Sequence, residues 1–232
     1  MDLYNNVVNF FKDGGFFLYP LCIIFVVGVA ISIERWIYLT KETIKNRNLW
    51  DDVAPHLGAG NFKQAIALAN NSQAQIGTVL KYGLARLSTA RRRDDIQQAM
   101  EESLLEIVPR LEKRTHYLSS LANIGMLVGL LGTILALIHA FGAVAQANPA
   151  EKAALLAAAI SEAMNNTAAG LFVAITLLLA HMFLESKTTS LIDSLEIAVV
   201  KFLNSITERY SEPAAPAPQG GMAPRAPAPR PA

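Results

Sequence analysis

The chain has 232 residues, of which 52% are hydrophobic and 17% charged, and its net charge is +1. Soluble domains carry about 25% charged residues, and so neutral a balance supplies neither a basic surface for nucleic acid nor an acidic solvating tail. The single cysteine, Cys22, excludes an intrachain disulfide and a cysteine-clustered metal site, and it reads as a small packing residue in an apolar run.

Residues 1–14 carry Leu3, Val7, Phe10 and Phe11 at helical spacing, which predicts a short amphipathic helix lying on a membrane surface. From Gly15 to Ile33 no residue is charged, close to the roughly 20 residues a helix needs to cross a bilayer core. Arg35 and Trp36 follow as interfacial anchors, so the first span is placed at 15–36. A cleaved signal peptide does not fit, because acids precede the run and no small-residue cleavage site follows it.

Residues 37–116 are too many for a turn and form a helical domain. Phe62, Ala65, Ile66 and Ala69 share one helix face, and Ile76, Leu80, Leu84 and Leu87 share another. Gly58, Gly60 and Asn70–Asn71–Ser72 punctuate them. The series Ile96, Met100, Leu104, Val108 and Leu111 predicts one helix running unbroken into a second span at 117–147. Arg91, Arg92 and Arg93 precede Asp94 and Asp95, the composition of a solvated helix start; anionic lipid or a partner is the alternative.

A short turn at 148–152 leads into a third span at 153–184, so the two spans form an antiparallel hairpin. Ile192, Leu195, Val199 and Phe202 carry the third helix onward over 185–212. Residues 213–232 are rich in proline and alanine and predict a disordered tail. Arg35, Lys41, Lys45, Arg47, Arg110, Lys113 and Arg114 all flank one side of the spans. The positive-inside rule puts that side in the cytoplasm and the N-terminus outside. The fold class is an all-α membrane protein with three transmembrane helices, long cytoplasmic extensions of the second and third, and a periplasmic N-terminus.

The informative residues lie in the hairpin. Gly125, Gly129, Gly132, Ala136 and Ala140 make a stripe of small residues, and Ala163, Thr167, Gly170 and Ala174 make another. Such stripes let helix backbones approach closely in lipid, and for the glycines packing alone is the plainer account. Thr133 lies 16 residues before Pro149 and Thr167 lies 18 after it, so their hydroxyls stand within about 3 Å in depth. A threonine can also satisfy itself on its own helix. Glu162 is the acid within the third span, and facing lipid it would cost at least about 2.5–3.5 kcal/mol. It therefore lines a cavity or ion path, or is a structural carboxylate near the outer interface. Asn165 and Asn166, one turn on, are within reach of it. His139 and His181 lie toward opposite faces and read as packing or interfacial residues. One copy has too few polar groups to line a wet path, which calls for an oligomer or a second protein in the bundle. Phosphate-loop, zinc-protease and nucleophile motifs are missing from the sequence, so no catalytic residue, metal or cofactor is expected.

GGFFLYPL and SIERW in the first span, GNFKQAIALANNSQAQIGTVLKYGLARL in the helical domain, and above all VGLLGTILALIHAF and ISEAMNNTAAGLFVAI resemble the ExbB/TolQ/MotA family of bacterial inner-membrane motor subunits. Three spans with an outside N-terminus resemble the ExbB and TolQ branches. The resemblance implies a homopentamer in the inner membrane around a dimer of a single-span ExbD/TolR-like partner, whose membrane aspartate carries the ion, with a TonB/TolA-like envelope protein beyond. It maps pore residues onto Thr133, Glu162 and Thr167, with Asn166 beside them. Two departures stand out. Gly125–Met126–Leu127 replaces a proline usual before the GLLGT segment, and Asn165–Asn166 is more polar than usual. An amide oxygen beside Thr167 keeps Na⁺ open beside H⁺ as the translocated ion. A non-conducting membrane scaffold is the alternative function.

Overall fold

A computed structural model describes residues 15–87 and 92–210, with side chains placed as far as Ile206. The interfacial helix expected at 1–14 and the tail expected at 213–232 lie outside the described residues. Among the described residues six helices follow one another: α1 Leu18–Ala59, α2 Phe62–Asn71, α3 Gln75–Arg86, α4 Arg93–Glu112, α5 Thr115–Gln146 and α6 Lys152–Tyr210. Three stretches, in α1, in α5 and in α6, are long and apolar enough to cross a membrane. Only 17%, 22% and 28% of their apolar windows are buried within the chain. The remainder, including Val26, Leu127, Ile134, Phe172 and Phe183, is exposed and calls for lipid or neighbouring subunits.

The punctuation of the helical domain follows its sequence. Gly60 closes α1 in the left-handed conformation at φ 72°, which costs glycine nothing. Past α2, the Ser72 hydroxyl accepts the Ala74 N–H at 3.1 Å. Ala65 and Ala69 of α2, Ile76, Leu80 and Leu84 of α3, and Met100 and Ile107 of α4 share one core with Val53 of α1 and Phe202 of α6. At the start of α4 the Arg92 N–H donates to the Asp95 carboxylate at 3.3 Å, as expected of a capped helix start.

The unbroken run from α4 into α5 does not form. Lys113 takes an extended ψ of 135° and Arg114 a left-handed φ of 69°, so the two helices are separate. That conformation costs a non-glycine residue about 1–2 kcal/mol, and contacts with α1 hold it. Arg35 is buried, and its guanidinium donates to the Leu111 carbonyl at the frayed end of α4. Arg114 pairs with the Glu34 carboxylate. Arg35 is thus an internal clamp on the break rather than a free interfacial anchor.

α5 and α6 pack antiparallel across the short connection at 147–151 and share the largest interface in the chain. α1 lies against both, parallel to α6, with Gly28 beside Leu177 and Gly15 beside Glu162.

Candidate functional site

The hairpin register follows from its glycines. A β-carbon on Gly125 would lie 3.0 Å from the Val173 Cγ1, and one on Gly129 would lie 2.8 Å from the Gly170 Cα and 2.9 Å from the Asn166 carbonyl oxygen. From Gly170 the Gly129 Cα is as close, at 2.9 Å. Gly132 faces Asn166. The small stripe therefore brings two backbones into contact, and on this register Thr133 and Thr167 differ in level by less than about 3 Å.

Helix geometry decides which way each polar group points. Thr133 follows Gly129 by four residues and Thr167 follows Ala163 by four, so each lies about 40° off its packed row. In an antiparallel pair those two offsets fall on the same side. Both threonines are partly exposed there. The Thr133 hydroxyl donates to the Leu130 carbonyl at 2.7 Å, leaving its lone pairs outward.

Glu162 is on the other side. Five residues separate it from Thr167, which turns it by about 140°. Its carboxylate lies against the Gly15 backbone, where an added β-carbon would collide with it. It opens into a cavity of about 860 Å³ shared with Phe16, Phe17, Ser161 and His139. α1 occupies this same flank further along, where Phe25 meets Phe172 with ring centroids 5.8 Å apart. The structure thus brings Thr133 and Thr167 together and sets Glu162 apart from them, beside His139.

Asn166 lies between these flanks. It is wholly buried against Gly132, and neither its Oδ1 nor its Nδ2 has a partner. It does not bond Glu162. The Asn165 side chain is partly exposed.

The profile of the MotA/TolQ/ExbB proton channel family matches residues 71–197, which include the whole hairpin. The chain belongs to this family. A biopolymer transport protein ExbB-like 3 of Synechocystis is 30% identical over 173 residues, covering 73% of this chain and 81% of the relative. An ExbB homolog of Methanothermobacter thermautotrophicus is 22% identical over 85% of this chain and 69% of its own length. The Tol-Pal system protein TolQ of Haemophilus influenzae is 34% identical over 84 residues, 36% of each chain. With its three apolar helices, this family member is a multi-pass membrane protein.

Among the described residues, sequence reasoning missed several buried polar groups, including Arg35, Glu42 and Asn46. Asn46 of α1 is buried, and its Oδ1 accepts the Ile76 N–H at 3.0 Å and so caps α3 from a different helix. Its spacing from Leu39, Leu49 and Val53 on the buried face of α1 was a signal that could have found it.

Proposed function

We propose that this chain is the pore-forming subunit of an ion-driven motor in the bacterial inner membrane. Copies of it, five in the arrangement implied by the resemblance, enclose a dimer of a single-span ExbD/TolR-like partner. Ions moving down the gradient, each worth about 2.3 kcal/mol per 100 mV, drive mechanical work in that partner and in a TonB/TolA-like envelope protein. The N-terminus and hairpin turn then lie on the periplasmic side, and α2–α4 with the far half of α6 lie in the cytoplasm. The protein acts as a channel rather than an enzyme and needs no cofactor. The translocated ion is H⁺, with Na⁺ the alternative raised by the neighbouring amides.

The supporting observation is the flank of the hairpin turned away from α1. It carries Thr133 and Thr167 at one level, partly exposed and free to meet a carboxylate on a partner helix. Glu162 serves the path from the cavity it shares with His139, as an entrance group, and Asn166 backs the threonine level from inside the hairpin.

The test is proton flux in proteoliposomes holding the subunit with its genomic single-span neighbour. Thr133→Val and Thr167→Val should assemble at wild-type mass and lose at least about tenfold in flux, the scale of one lost polar contact in a dry site. Normal assembly with full flux in both variants would refute the threonine assignment, and a wild-type complex without flux would leave the non-conducting scaffold reading in place. Repeating the assay under a sodium gradient at fixed pH separates the two ions.

A further inference from the structure

Two cavities between α1 and α6 run into one another at the end of the spans marked by Arg35 and Trp36. The first, about 550 Å³, is apolar and is lined by Ile33, Trp36, Leu177, Ala180 and Phe183 within the hydrophobic stretches. The second, about 660 Å³, lies beyond it, and Phe183 and Lys187 line both. This second cavity holds three cations, Arg47, Lys187 and Lys201, and no carboxylate among the described residues lines it.

Two of the cations have an aromatic neighbour. The Lys187 ammonium donates to the Thr40 hydroxyl at 2.6 Å and sits 5.6 Å from the Trp36 ring centroid. Lys201 stands 6.0 Å from the Trp50 ring. Arg47 has one acidic neighbour, Asp51, at 3.9 Å, and both side chains are largely in solvent. Ser186 and Ser190, four residues apart on one face of α6, line the same cavity.

We propose that this double cavity binds one anionic glycerophospholipid of the leaflet on the Arg35 side. The phosphate and its glycerol headgroup would sit among Lys187, Lys201, Arg47 and the two serines, and an acyl chain would lie in the groove over Ala180. The order of the surfaces carries the assignment. An apolar groove within the membrane that opens into a carboxylate-free cationic pocket at its border matches the amphipathic order and the charge of that molecule. A soluble anion would leave the groove empty, and a zwitterionic lipid would bring an ammonium among three cations. Bound there, the lipid would add to the contacts that Lys187 and Lys201 of α6 already make with Thr40, Trp36 and Trp50 of α1.

The experiment uses the full chain in mild detergent, incubated with phosphatidylglycerol or phosphatidylcholine and weighed intact by native mass spectrometry. One phosphatidylglycerol per chain is expected, retained in preference to phosphatidylcholine. Lys187→Gln and Lys201→Gln should each weaken it about fivefold, the weight of one basic side chain near an anionic surface. Lys63→Gln, an exposed cation on α2 outside the cavity, should leave it unchanged. Ala180→Trp fills the groove without altering charge and should also displace the lipid. Equal retention of both lipids, insensitivity to all three cavity variants, or displacement by millimolar glycerol phosphate would overturn the proposal. So would a change of oligomer mass in Ala180→Trp without loss of lipid, which would assign the groove to a second copy of the chain.

Discussion

The contact between Gly129 and Gly170 sets the spacing of the hairpin, and the smallest possible side chain tests it. An alanine at Gly129 would place its β-carbon 2.8 Å from the Gly170 Cα and 2.9 Å from the Asn166 carbonyl oxygen. Both obstacles are backbone, so no rotamer change relieves them. Restoring ordinary van der Waals separation requires the two helices to part by about 1 Å, a strain in the range of about 1–3 kcal/mol for overpacking. At about 2–4 °C per kcal/mol for a chain of this size, Gly129→Ala should lower the melting temperature of the detergent-purified protein by about 2–12 °C. Gly170→Ala should behave alike. Gly142→Ala is the control, because nothing lies within 4 Å of its added carbon. Alanine is favoured there by helix propensity, by about 1 kcal/mol. Melting is followed by size-exclusion recovery after heating. If Gly129→Ala melts no lower than Gly142→Ala, the backbones do not touch and the register of Thr133 against Thr167 loses its support.

Three further outcomes follow from buried polar groups. Asn166→Leu replaces two unpaired amide atoms by two methyl groups at the same heavy-atom count, so it should raise thermal stability, by about 1 kcal/mol or more, while lowering ion flux if the amide serves the path. Unchanged or reduced stability would show that the amide has a partner in the assembled protein. Asn46→Ala strips the Ile76 N–H of its acceptor and should cost about 1–3 kcal/mol, seen as faster proteolysis between α2 and α3. Arg35→Met removes the clamp on the α4–α5 break and should speed hydrogen exchange over 112–118 severalfold, whereas Lys41→Met, an exposed neighbour on α1, should not.

The spans and the helix faces of α2 and α3 could be read from sequence because apolar periodicity is a local property. The break at Lys113–Arg114 could not. The apolar series passes through it, and no glycine marks the left-handed residue. Its conformation is imposed by Arg35 and Glu34, which are distant along the chain. The placement of Glu162 was partly legible. Five residues from Thr167 already imply the opposite flank, but only the placement of Gly15 and Phe17, just before α1, shows what that flank meets. Asn166 looked like a partner for Glu162 because spacing alone permits that bond. Packing against Gly132 turned it inward.

The two arms that leave the hairpin differ mechanically. α6 is one helix of 59 residues, about 90 Å long, whereas its neighbour is severed into α4 and α5 by a single left-handed residue. α6 therefore offers an unbroken helical path from Thr167 to its far end. The α4–α5 arm is broken at Arg114, and Glu34 and Arg35 tie that break to α1, so a displacement of the hairpin meets α1 there rather than a continuous helix. Any movement of the hairpin must then shear α6 past α4, and the core they share around Phe202 and Met100 is where that shear is felt.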